Sequence, residues 1–223
     1  SALPGHGGTD APGDARPGGL ECAADEGVAL LDRLGIERFA LAGYSLGGRL
    51  ALSLALRHPS RVAALVLVGA SPGIADAEQR AARARADADL AGSIERDGIE
   101  SFSLAWEANP LFATQAAMDE SLRSAMRAQR LAQDPARLAG ALRAFGTGGQ
   151  APLDEALGGL AMPVLAMAGE LDAKFSAIAA DMAARIPGAV LRIVPGPGHA
   201  VPLERAPDCA REIESFLTRS SDA

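Results

Sequence analysis

The sequence predicts an α/β chain: a mostly parallel sheet with helices on both faces and an all-helical segment inserted between two strands. Three observations predict it. Short apolar runs of strand type at 39–42, 61–68, 164–168 and 190–194 alternate with helical patterns, and such alternation builds parallel sheets covered on both faces. In RVAALVLV at 61–68 the run after Arg61 is continuously apolar, as a strand buried on both faces requires. From 74 to 149 the composition shifts to Ala, Arg, Asp and Gln with no β-branched run, which reads as helices.

Taken in order, the chain opens on SALPGHGGTDAPGDARPGG, a Gly/Pro/Asp-rich loop with no preceding strand. This start reads as the middle of a domain. A helical pattern spans 21–34 and ends at Gly35, a natural C-cap. The strand at 39–42 leads into a helix that runs to about residue 58 and is stopped by Pro59. Within 74–149, breaks are expected at Gly92, Gly98, Asn109-Pro110, Asp134-Pro135 and Gly146. A helical insertion of this kind is most simply a lid. A short helix near 154–157, a strand at 164–168, a helix at 175–186, a strand at 190–194 and a helix at 206–218 complete the pattern. The expected domains are therefore a core of 1–73 and 150–223 and a lid of 74–149.

At 223 residues the chain has room for one sizeable core and an insertion. With 21 basic against 28 acidic residues, a net charge of -7, there is no global footprint for nucleic acid or an anionic membrane. Cys22 and Cys209 belong to no CxxC or CxxH spacing, so neither a disulfide framework nor a metal site is indicated. No metal or organic cofactor is suggested. No signal peptide is visible and no apolar run reaches bilayer length, so a cytoplasmic chain is expected.

The chemistry centres on FALAGYSLGGR at 39–49, where strand passes into helix through Gly43-Tyr44-Ser45-Leu46-Gly47, a GxSxG turn. In that context the pattern is a nucleophile elbow, with Ser45 at a strained backbone angle and glycine at the flanking positions letting strand and helix approach. The N–H of Leu46 would then face a developing oxyanion at the helix N-terminus. A serine hydroxyl needs a histidine to take its proton and a carboxylate to orient that histidine. His58 ends the elbow helix and reads as structural, and His6 lies too far upstream. His199 follows the last strand in a Gly/Pro loop, at the sheet edge where α/β folds place ligands. Asp172 reaches the same edge after the preceding strand, with Glu170 as the competing carboxylate nearer the strand end.

The segments LPGHGGTD, GYSLGGRLAL, GASPG, GELDAKF and PGPGHAVPLE resemble the α/β-hydrolase superfamily, whose triads run Ser, Asp, His in chain order. Within it, Tyr44, Arg49, GELDAKF, AEQRAARARAD and WEANPLF are similar to the 2-succinyl-6-hydroxy-2,4-cyclohexadiene-1-carboxylate (SHCHC) synthases of menaquinone biosynthesis. The resemblance implies an α/β-hydrolase fold with a helical lid, apparently without its N-terminal strands. It also implies a lyase that eliminates pyruvate from an enolpyruvyl precursor, with Ser45 as base, His199 as relay and Asp172 as orienting carboxylate. The substrate would be a small polycarboxylate gripped by Arg49, Arg83 and Arg127. Trp106 and Phe112 would wall the pocket and Tyr44 would flank the serine. Two other readings stay open: a serine hydrolase of esters or carbon-carbon bonds on the same triad, and a truncated, non-catalytic relative that binds an anionic ligand. The family's early strands, with the loop that supplies a second oxyanion N–H, have no counterpart in the sequence, so the resemblance implies roughly 40 further residues ahead of its start, with β pairing for 39–42 expected from them.

Overall fold

The computed structural model describes residues 19–221. In chain order the elements are α1 (Gly19–Arg33), β1 (Phe39–Tyr44), α2 (Leu46–Arg57), β2 (Val62–Val68), α3 (Ala77–Glu107), α4 (Glu120–Leu131), α5 (Pro135–Phe145), β3 (Val164–Gly169), α6 (Ala173–Arg185), β4 (Val190–Val194), α7 (Val201–Glu204) and α8 (Ala206–Ser221). Among the described residues these fall into two compact units, one of 24–72 with 153–221 and one of 19–23 with 73–152.

The first of these units holds a four-stranded parallel sheet in the order β1-β2-β3-β4. β2 shows why the sheet forms here. Leu65 and Leu67 point to one face and join Leu52 and Ala55 of α2 and Met182 of α6. Val66 and Val68 point to the other and meet Val194, with Cys209 and Phe216 of α8. Each fully buried Leu or Val contributes roughly 1.5–3 kcal/mol, so the apolar run can be satisfied only between two helical layers. Among the described residues β1 pairs with β2 alone, and Ala40 and Ala42 are exposed. No helix among them is long and apolar enough to cross a membrane.

The second unit is helical. Its helices start at acidic or amide caps: Asp76, Asp119 and Asp134 accept from Gln79, Ser121 and Arg137 N–H groups at 2.8 Å each. Ala91 and Ile94 of α3 pack against Ala139, Leu138 and Leu142 of α5. That packing corrects one expectation, because Gly92 lies between those buried residues and does not end the helix. A mid-helix glycine costs only about 1 kcal/mol, which burial on both sides offsets. Gly98 does interrupt the helical geometry, at φ 80 and ψ 175, so the 31 residues of α3 are two helical stretches meeting at a kink. After Asn109, whose side chain accepts from Leu111 N–H at 2.9 Å, the chain runs as 3-10 turns over Pro110–Ala117.

Candidate active site

Ser45 sits between β1 and α2 at φ 50, the one non-glycine residue with positive φ among those described. Such a conformation costs about 1–3 kcal/mol and persists only where the surroundings impose it. They do so here. Ser45 N–H donates to Val68 O at 2.9 Å, and Arg49 N–H donates to Ser45 O at 3.0 Å, starting α2. The crossing is close enough that a Cβ on Gly43 would lie 2.2 Å from Gly47 O, and one on Gly48 would lie 2.5 Å from the Ala70 Cβ. The expectation for the flanking glycines is thus corrected in part. A Cβ on Gly47 would meet nothing within 4 Å, because that position faces away from the crossing, and the close contact belongs to Gly48. A serine before a helix ordinarily turns its oxygen to the first-turn N–H groups. Ser45 makes no such capping bond, and its hydroxyl instead meets a histidine.

That histidine is His199, in the loop between β4 and α7, 2 % exposed. Its Nε2 lies 3.0 Å from Ser45 Oγ, and its Nδ1 lies 2.8 Å from Asp172 Oδ2. A carboxylate can only accept, so it assigns the proton to Nδ1 and leaves the Nε2 lone pair for the Ser45 O–H. Asp172 is itself fixed by α6, whose first turn donates Phe175 N–H to Oδ1 at 3.1 Å. The rings of Phe175 and Tyr44 lie 4.4 and 5.4 Å from the imidazole, centre to centre. Glu170 is exposed and accepts from Gly196 N–H at 3.0 Å, tying the two loops together.

Tyr44 is partly buried, and burial, with the charges of Glu204 and Asp172 behind it, pushes its phenol well above the ordinary value. It therefore stays a neutral O–H donor. Leu46 begins α2, so its N–H has no partner within the helix and can meet an oxyanion. Arg49 is half-buried one turn further along. His6 lies outside the described residues, and His58 pairs through Nε2 with Asp25 at 2.7 Å, away from this chemistry.

The remaining expected residues lie in the helical unit. Arg83 donates its Nε to buried Asp87 at 2.6 Å, and the other oxygen of Asp87 accepts Gly148 N–H at 3.1 Å. Trp106 lies between Phe102 and Phe112 in tilted contacts, with ring centres 5.3 and 4.9 Å apart. Phe112 and Arg127 line a groove of about 350 Å³ with Glu107, Asn109, Arg123 and Arg130. Glu107 takes Arg127 at 3.4 Å on one oxygen and Arg130 on the other.

Arg130, which also reaches the buried Ser103 hydroxyl at 3.3 Å, has no place in the sequence reading. Its signal was the spacing of Arg123, Arg127 and Arg130, one face of α4. Gly48 and Glu204, whose carboxylate accepts backbone N–H groups beside His199, also escaped it. Among the described residues no group of three or more His, Cys, Asp or Glu side chains could hold a metal ion.

A parallel sheet with a strained serine at one strand end and a histidine and carboxylate at the ends of two others is the architecture of an α/β-hydrolase-type enzyme. The chain belongs to the α/β-hydrolase family, whose fold profile matches residues 3–206. An Enterobacter protein named 2-succinyl-6-hydroxy-2,4-cyclohexadiene-1-carboxylate synthase is 35% identical over 195 residues, covering 85% of this chain and 72% of that one. A Bacillus subtilis protein bearing that name with a provisional qualifier is 37% identical over 214 residues, 96% of this chain and 78% of its own. Among solved structures, MenH from S. aureus superposes with a TM-score of 0.93 at 33% identity, covering 98% of this chain and 82% of that one.

Proposed function

We propose that the chain is a cytoplasmic lyase of menaquinone biosynthesis that eliminates pyruvate from 2-succinyl-5-enolpyruvyl-6-hydroxy-3-cyclohexene-1-carboxylate to give SHCHC. The observation that carries this reading is the hydrogen-bonded line from Asp172 through His199 to Ser45, found in a chain whose relatives bear that synthase name. Moving the ring from a 3-ene to a 2,4-diene requires loss of the C2 proton and rupture of the C5–O bond. Ser45 Oγ takes the C2 proton as its own passes to His199 Nε2. The electron pair moves through the ring, and the enolpyruvyl group leaves, takes up a proton and becomes pyruvate. The C2 proton is next to the succinyl ketone, so negative charge develops on the ketone oxygen, where the Leu46 N–H can stabilise it.

The substrate is a small polycarboxylate, and arginine forks suit its carboxylates better than lysines do. Arg49, Arg83 and Arg127 are proposed as clamps, Trp106 and Phe112 as pocket walls, Tyr44 as a donor beside the serine, and 74–149 as the lid. A second reading, ester hydrolysis through acyl-Ser45, draws on the same Leu46 N–H at a helix N-terminus.

The test is pyruvate release from the enolpyruvyl precursor by the chain and by Ser45→Ala. Release by the former and none by the latter is expected. No release by the chain, with acyl-enzyme accumulating on a simple ester, would replace the lyase with the hydrolase.

A further inference from the structure

We propose that Glu204 is a positioning residue for His199, its carboxylate gripping the backbone on both sides of the imidazole and holding Nε2 on the Ser45 hydroxyl. Gly198 N–H donates to Oε2 at 2.9 Å and Ala200 N–H donates to Oε1 at 3.1 Å, so both oxygens are used and the two donors straddle one residue. The Pro-Gly-Pro-Gly stretch at 195–198 is anchored at Gly196 by Glu170 and at Pro197 O by Leu171 N–H, and Glu204 is the brace that holds the two peptide N–H groups on either side of His199.

The brace is closed on itself, because Glu204 N–H donates back to Ala200 O at 2.8 Å within α7. Asp172 fixes the ring through Nδ1. The near side is equally tight, since a Cβ on Gly69 would lie 3.1 Å from His199 Cε1. The imidazole is therefore held by one carboxylate at its ring and by a second at its backbone. The charge of Glu204 also reaches the Tyr44 phenol, which places it at the edge of the site while touching none of the proposed reacting atoms. The inference rests on His199 serving as the base for Ser45 and not on the identity of the substrate.

The test uses Glu204→Gln, which keeps the size but offers one acceptor and turns an N–H donor toward the other backbone N–H. The expected result is a fall in kcat of about 10- to 100-fold with KM changed less than about twofold, as a small misplacement of a base produces. Thermal stability should stay within a few degrees, and Glu204→Asp should recover part of the rate.

A reading independent of substrate comes from the low-field proton of His199 Nδ1–H, assigned by its loss in His199→Ala. In Glu204→Gln it should broaden and exchange faster with water. An unchanged signal would overturn the proposal, and so would a lower rate that merely tracks the folded fraction. Were the chain to release no pyruvate at all, the lyase reading would fail while this signal would still decide the role of Glu204.

Discussion

Gly48 and Ala70 touch at the crossing of α2 and the end of β2, so closely that an added Cβ would lie 2.5 Å from that of Ala70. Gly48→Ala should therefore force strand and helix apart, costing about 1–3 kcal/mol and removing activity. Gly47→Ala meets nothing within 4 Å and should leave stability unchanged or raise it by up to about 1 kcal/mol. Thermal melts and turnover of the two variants check this. Equal losses would show that the crossing does not depend on Gly48.

Asp172 does two jobs that one substitution separates. Asn caps a helix as well as Asp does, so Asp172→Asn should keep α6 and the stability of the fold within about 1 kcal/mol. The amide would favour the wrong imidazole tautomer, and kcat should fall by up to about 10⁴-fold with KM nearly unchanged. A loss of stability in step with the loss of rate would mean that the cap, not the tautomer, is what the carboxylate supplies.

Arg49 stands one turn from Ser45 on α2. If it holds a substrate carboxylate, removing it forfeits a charge-assisted bond of about 1.5–3 kcal/mol, and Arg49→Ala should raise KM roughly 10- to 100-fold with a smaller effect on kcat. Lysine should restore only part of the binding, lacking the fork. Steady-state kinetics on a carboxylated substrate decide it, and an unchanged KM would remove Arg49 from the clamp.

Asp25 gives the fold a pH dependence away from the site. The Arg57 guanidinium first, and then His58, hold its carboxyl below the ordinary value of 3.8. A depressed carboxylate stabilises the fold above its unfolded pKa, and that stability is lost as the pH falls through the folded pKa. The pair is about half exposed, so the effect is at most about 1 kcal/mol. Denaturant titrations should find Asp25→Asn less stable at neutral pH and equal to the parent once Asp25 is protonated.

Much of the fold was legible because its signals are local. Gly35 and Pro59 end helices by their own backbone chemistry, and the apolar run of β2 can only be a strand covered on both faces. The order Ser45, Asp172, His199 was legible for a similar reason, since each follows a strand and strand ends share one edge of a parallel sheet. What escaped depends on distant partners. Gly48 matters through Ala70, and Gly92 is carried through a helix by the packing of Ile94 on α5. Arg83 is joined to the Thr147–Gly149 turn by way of Asp87. None of these pairs is marked by spacing or composition.

The left-handed backbone of Ser45 has a bearing on what happens when this protein begins to come apart. The conformation survives only while Val68 holds the serine N–H and the glycine crossing presses α2 onto the sheet. Once that crossing opens, the residue is free to relax to negative φ, where a serine hydroxyl bends back to cap its own helix. The event that unravels this corner would thus also take the Ser45 hydroxyl away from His199 and turn it toward the helix it precedes.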